Sequence, residues 1–309
     1  QQVPQFVILG SDDNPDYSGV RFFRDLLRNR TNPVGSGNSA TFDGQPMHMS
    51  FYLIGQNIYG PNLNDPAMRT LYVSLYSAGY ELGNHGFLHN LFGNSYSGWY
   101  DDFNKTKAAI RQMLIEGSVS AAEVDSSPRV NKGIREPQDA FTPESLQAGQ
   151  DLGYDYDSSH RTGHQSNLPP WWPGTMDNGW PGGAVWDTQP VGQHHGYWQT
   201  PQTYIVTDPV TNATGGYCDA DFIGAGQPYA NDPQGFKELL KNTVLRSYNG
   251  NRAPVSFCLH SNYWNDAVPG RQQAMGEFLD WLQTLPDVRV VSHAELLSWM
   301  RNPAALNTS

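Results

Sequence analysis

The sequence predicts an α/β fold of parallel βα units. Two observations carry the prediction. Short apolar runs, bounded by turn residues, alternate along the chain with segments of helical periodicity. Polar residues stand at the ends of several of those runs, where parallel βα architectures gather their functional groups. At 309 residues the chain has the length at which an α/β barrel folds as one unit. It shows no internal repeat, low-complexity tract or linker, so residues 1–309 read as a single domain.

Val3 to Gly10 reads as a buried strand, being apolar without alternation. Ser18 is placed to cap a helix through Val20, Phe22, Phe23, Leu26 and Leu27 to Asn29. A loop at Asn32 to Gly37 leads to a second strand, Met47 to Gly55. Asp65-Pro66 opens a helix with Pro at its first position, reaching Ala78. Gly79 to Gly83 is a brief third strand, followed by a long amphipathic helix from Tyr100 to Glu116 and a fourth strand at Lys132 to Glu136. A helix at Pro143 to Leu152 and a strand at Tyr154 to Asp157 come next. His160 to Pro228 is rich in Gly, Pro and Trp and reads as long ordered loops, with strands at Ala184 to Gln189 and Trp198 to Val206. Helices at Pro233 to Tyr248, Gln272 to Leu285 and Ala294 to Met300, and strands at Pro254 to His260 and Val288 to Val291, close the pattern.

Composition narrows the partners. The formal net charge is −11 and there is no basic run, which makes nucleic acid and anionic membranes poor partners and suits a neutral substrate, or a cationic substrate or product. No stretch is apolar for long enough to span a bilayer. The start, Gln1-Gln2-Val3, fits a mature N-terminus after processing, and Asn29, Asn104, Asn212 and Asn307 each begin an N-glycosylation triplet. These features point to a secreted, extracellular protein, expected as a monomer. Cys218 and Cys258 admit two readings, one disulfide or a buried free thiol at Cys258.

Four stretches carry chemistry. Asp12 and Asp13 end the first strand, His85 and His89 follow the third, Arg135 ends the fourth, and His260 ends the strand from Pro254. On a helical turn, histidines four residues apart share one face and hand two nitrogen ligands to one metal ion. Such a pair still needs an anionic ligand, and the Asp12-Asp13 turn is the best donor.

The order Asp-Asp, His-x-x-x-His, Arg-x-Pro and Leu-His resembles the polysaccharide deacetylase family, carbohydrate esterase family 4, and within it the insect-type chitin deacetylases. Gly133-Ile134-Arg135-Glu136-Pro137, Tyr156-Asp157-Ser158-Ser159, Trp172-Pro173-Gly174-Thr175, Tyr197-Trp198-Gln199-Thr200-Pro201, Arg252-Ala253-Pro254 and Trp299-Met300-Arg301-Asn302-Pro303 are similar to further segments of that group, so the resemblance covers the whole chain. It implies a distorted (β/α) barrel of seven or eight parallel strands with long aromatic-rich loops. It also implies a metal-dependent hydrolase that removes N-acetyl groups from β-1,4-linked N-acetylglucosamine, in chitin or its oligomers. By that resemblance Asp12 is the general base, Asp13, His85 and His89 are metal ligands, Arg135 holds the base, the Gln138 backbone N–H serves the oxyanion and His260 is the general acid. Zn²⁺ is the implied ion, with Co²⁺ or Ni²⁺ fitting the same ligands.

Physical chemistry gives each role a reason. A divalent ion on three protein ligands keeps positions for water and a carbonyl oxygen. A carboxylate beside that water can take its proton, a guanidinium favours the ionised carboxylate, and an imidazolium can protonate a leaving amine. Departures from the family are Gly10-Ser11 before the Asp pair, Gly86 after the first histidine, Gln138 in place of an aromatic residue, and fewer cysteines. Trp198 matches the apolar pocket for the acetyl methyl, and Trp171 and Trp172, with Trp180 and Trp186, stand where they could stack on sugar rings. Asp157 and Asp177 are both candidates to orient His260, and the His194-His195 pair reads as solvated loop. Two rival readings are kept. One is the same chemistry on another acylated sugar, peptidoglycan or a small amide. The other is a catalytically silent carbohydrate-binding module.

Overall fold

The computed structural model describes residues 3–60, 64–180 and 191–306. The strand expected at Ala184 to Gln189, Trp186 and the triplet at Asn307 lie outside the described residues. The chain opens with β1 (Gln5–Asp12), buried at every position. Its two faces serve different layers, as strand pleating requires. Val7 and Leu9 join the main core with Val20, Phe23, Leu71, Val244 and Phe278, whereas Phe6 and Ile8 pack on Leu296 and Trp299.

Helix α1 (Tyr17–Leu27) is capped by Asp16, whose side chain accepts from Gly19 N at 2.9 Å. Ser18, expected as the cap, instead donates its hydroxyl to Asp16 Oδ1. Strand β2 (Ser50–Leu53), a single helical turn α2 (Gln56–Tyr59), helix α3 (Pro66–Ser77) and strand β3 (Glu81–Asn84) follow. Asp65 and Pro66 start α3 as the sequence predicts, with Asp65 accepting from Ala67 N. Helix α4 (Tyr96–Glu116) begins a turn earlier than expected, because the Ser95 hydroxyl caps it at Gly98 N. Then come α5 (Ala121–Ser126), β4 (Val130–Ile134) and α6 (Pro143–Asp151), the last with a capping box between Thr142 and Ser145.

The loop-rich region holds short strands: β5 (Tyr156–Asp157), β6 (Arg161–Thr162), β7 (Gly174–Met176), β8 (His194–Gln199), β9 (Gln202–Thr203), β10 (Val206–Asp208) and β11 (Ala213–Thr214). After the short α7 (Ala220–Ile223), the regular pattern resumes with α8 (Pro233–Asn249), β12 (Val255–His260), α9 (Pro269–Gln283), β13 (Val288–Val290) and α10 (His293–Arg301). The central sheet runs β12-β1-β2-β3-β4-β5-β8-β7, with β13 beside the start of β1. All its pairs are parallel except β7 with β8. The fold class is therefore α/β with a mostly parallel sheet. No strand pairing among the described residues closes the ring; from β9 to β12 the link passes through Ser256 N, which donates to Thr203 Oγ1 at 3.0 Å. No helix of the described residues is long and apolar enough to cross a membrane.

The interior of the curved sheet is polar. His293, at the start of α10, lies within hydrogen-bond distance of Ser50, Tyr52, Ser158 and Ser256, while Tyr156 donates to Glu81 at 2.7 Å. Burial pushes the Glu81 carboxyl up to about 7, against the hydrogen bonds from Ser50 and Tyr156. This network supports Arg135 from below, through Ser158 and the Tyr52 ring, which lies 4.5 Å from the guanidinium carbon.

Candidate active site

Strand ends assemble the site. Asp12 and His260 are the last residues of β1 and β12 and are register partners across that parallel pair. Beyond Asp12 the chain turns sharply through Asp13 and Asn14, both with positive φ, 59° and 53°. Asn and Asp tolerate that region better than most residues. The turn is braced from within. Ser11 Oγ donates to Asn14 Oδ1 at 2.6 Å, and Asn14 Nδ2 donates to Ser11 O and Tyr52 O. Ser11, a departure from the family pattern, thus has a partner of its own. Gly10 has a steric reason, since a Cβ there would meet Arg135 Nη2 at 2.9 Å.

Arg135 reaches across the sheet to Asp12. Its Nη1 donates to Asp12 Oδ1 at 2.9 Å, while Nε and Nη2 donate to Ser158 O and Oγ. Both charged groups are buried. Burial acts to lower the Arg135 pKa, but the charge of Asp12 outweighs it, so the guanidinium stays cationic.

His85 and His89 do not lie on a helical turn. They follow β3 in a loop turned by Gly86 (φ 74°) and by His89 itself (φ 56°). A Cβ on Gly86 would meet Asp102 Oδ2 at 2.7 Å. Asp102, on α4, accepts from the N–H groups of Phe87 and Leu88 at 2.6 and 3.1 Å and so shapes the loop without a hydroxyl at residue 86. His85 Nδ1 lies 2.6 Å from Arg135 O, which fixes the tautomer with the proton on Nδ1 and turns Nε2 inward. The Nε2 atoms of His85 and His89 are each 3.2 Å from Asp13 Oδ1. That carboxylate oxygen is buried without a hydrogen-bond partner. The three donor atoms lie within 4.8 Å of one another. A buried, unpartnered carboxylate oxygen facing two imidazole nitrogens could hold a divalent transition metal, so these residues fit the ion that the motifs imply.

The partner of His260 is Asp219, which the sequence reading missed. Its Oδ1 lies 2.7 Å from His260 Nδ1, and Oδ2 accepts from His260 N at 2.9 Å and Trp264 Nε1 at 2.7 Å. Burial lowers the His260 pKa, but the charge and hydrogen bond of Asp219 outweigh it and push it up to about 9. Neither candidate named from sequence reaches His260. Asp157 is buried among Gln199, Ser159 and Glu136. Burial and the charge of Asp157 push the Glu136 carboxyl up. Asp177 is half-exposed and bonds Thr175 and Gly196. Exchanging Asp219 for Asn should lower the rate by about 10²-fold or more and move the alkaline limb of the pH–rate profile down from near 9 toward the ordinary histidine range. An alkaline limb left in place would remove the pairing from the mechanism.

Cys218 and Cys258 are bridged, which settles the two readings left open and fastens the segment before Asp219 to the strand of His260. Cys258 Sγ lies 3.6 Å from Asp12 Oδ2, and as a bridged sulfur it has no proton to donate there. Bridging also withdraws both sulfurs as metal ligands.

Asp12, Asp13, His85, His89, Gln138 and His260 line one cavity of about 220 Å³. Gln138 reaches it from the turn Pro137–Asp139, at positive φ (56°). Among the described residues, no tryptophan lines it. Trp198 packs with Tyr52, Tyr156 and Leu297, the last of these on α10. Trp172 stacks on Trp299 with ring centroids 6.2 Å apart and donates to Asn251 O. Trp171 borders a separate cavity of about 90 Å³ beside Arg161 and His164. His195 is exposed as expected, whereas His194 is buried and bonded to Val191 O and Gln150.

No family model matches the chain. Chitin deacetylase 8 of Bombyx mori is 24% identical over 313 residues, covering 99% of this chain and 73% of that protein. Among solved structures, a candidate polysaccharide deacetylase from Mycobacterium smegmatis superposes with a TM-score of 0.59 at 15% identity, over 99% of this chain and 94% of that one. A carbohydrate esterase family 4 pseudoenzyme from Bacillus anthracis superposes with a TM-score of 0.50 at 11% identity, over 96% of this chain and 66% of that one. The resemblance read from the motifs thus extends to the fold. A fold shared with a pseudoenzyme makes the residues of the site the deciding matter.

Proposed function

We infer, from a likeness to chitin and polysaccharide deacetylases that spans the chain, that this protein is a metal-dependent hydrolase removing N-acetyl groups from β-1,4-linked N-acetylglucosamine. One observation carries the reading. A carboxylate, Asp12, and an imidazole raised by its own carboxylate, His260, flank a His₂Asp donor set in one cavity. Binding alone needs neither a base nor an acid.

Asp13, His85 and His89 would hold the ion, which supplies Lewis acidity toward the amide carbonyl and toward water. Zn²⁺ is the ion proposed, since two histidines and one aspartate suit it, and Co²⁺ or Ni²⁺ suits the same set. Asp12 takes a proton from water as the water oxygen bonds to the acetyl carbon. Arg135 keeps Asp12 oriented. The Gln138 N–H donates to the oxyanion, a contact typically worth about 2.7–4 kcal/mol. His260, with Asp219 behind it, gives its proton to the nitrogen as the C–N bond breaks. Acetate and a free amine leave.

Secretion is part of the proposal. The bridge between Cys218 and Cys258 suits an oxidising compartment, and Asn29 and Asn104 are exposed. The test is acetate release from N-acetyl chito-oligosaccharides. We expect turnover that stops with a chelator and returns with Zn²⁺. Oligomer binding without acetate release would sink the hydrolase reading.

A further inference from the structure

We propose that Tyr217 is a specificity-determining residue, the apolar wall against which the substrate's pyranose ring stacks; this rests on the carbohydrate reading above. Beyond the groups assigned to catalysis, the cavity is walled by Gln138, Asp139, Asp221, Ala220, Cys218 and Tyr217. Among these described residues Tyr217 is the one that presents a benzene ring. A pyranose has a polar rim and an apolar C–H face, and that face needs an apolar partner which carboxylates and amides cannot supply.

Tyr217 is also held as a wall should be. The Arg161 guanidinium lies over one face of its ring, 4.4 Å from the centroid, and the Tyr204 ring makes a T-shaped contact with it, centroids 5.6 Å apart. Its backbone N–H donates to Asp221 Oδ2 at 3.0 Å, and the next residue is bridged to β12. Burial, with the nearby charge of Asp139, pushes the Tyr217 hydroxyl pKa up, and the Asp139 carboxyl accepts from Gln202 Nε2 at 2.7 Å. Asp139 directly follows Gln138, and both line the cavity with Tyr217, so the ring lies beside the turn that carries the proposed oxyanion donor. A side chain ordered before substrate arrives costs little entropy on binding.

The test compares Tyr217→Leu and Tyr217→Phe with wild type, using N-acetylglucosamine oligomers of defined length. Tyr217→Leu should raise KM about tenfold, the scale of one aromatic contact, with kcat within about twofold. Tyr217→Phe keeps the ring and should restore KM. Thermal unfolding checks that each variant folds, and Tyr217→Gln replaces the leucine variant if that one does not. An unchanged KM in the ring-less variant overturns the proposal. A wild type that binds the oligomer without cleaving it would fail the hydrolase reading alone, and calorimetric affinity then replaces KM. A tenfold weaker ring-less variant would keep the wall, equal affinities would overturn it, and a wild type that neither cleaves nor binds would overturn both.

Discussion

Asp12→Asn is expected to abolish turnover while metal content and oligosaccharide affinity stay close to wild type. Asparagine keeps the shape and can still accept the hydrogen bond that Arg135 Nη1 gives Asp12 Oδ1. What it loses is basicity, and losing a general base costs about 10²–10⁴ in rate. The exchange also strips a buried guanidinium of its counter-charge. Arg135 keeps Ser158 and the Tyr52 ring, so the protein should fold with a lower unfolding temperature. Rate and thermal midpoint, measured on one preparation, separate the two effects. A variant that retained more than about a tenth of the wild-type rate would place the base elsewhere.

If the proposed metal site is right, His85→Ala and His89→Ala should each lose divalent-metal binding and, with it, activity. The two should part company in stability. His85 is buried and its Nδ1–H satisfies the Arg135 carbonyl, so its removal leaves that carbonyl unpaired, at a cost of about 1–3 kcal/mol. His89 is more exposed and carries no such bond. Elemental analysis of both purified variants, beside their denaturation curves, tests the pair. Full metal occupancy in both would dissolve the site as drawn.

Much of this arrangement is written locally in the sequence. Asp12, Asp13, Arg135 and His260 stand at the ends of apolar runs, and a parallel sheet brings such ends together whatever the loops do. Helices opened by Asp65-Pro66 or Thr142-Pro143 announce themselves through caps. What the sequence conceals is decided by tertiary contact. Asp219 lies in a stretch without periodicity, and its link to His260 follows only once Cys218 and Cys258 are taken as bridged. The helical turn expected at His85 gives way because Gly86 adopts a positive φ and Asp102, from another element, takes the loop's N–H groups. Trp172 and Trp198 sit in aromatic-rich stretches that fit a sugar platform as well as a packing surface, and their partners, Trp299, Tyr156 and Leu297, come from distant parts of the chain.

The register of Asp12 with His260 has a meaning for how such a protein can change. Their backbones are neighbours in a hydrogen-bonded ladder, so their separation is set by the spacing of adjacent strands, about 4.8 Å in any sheet. The ladder is a ruler that insertions elsewhere cannot stretch. Tyr217 and Gln138, by contrast, sit on connecting segments whose length and sequence are free to drift. Selection can therefore exchange the surfaces that choose a substrate while the distance between the proposed proton acceptor and donor stays fixed, so that a new specificity requires no new chemistry.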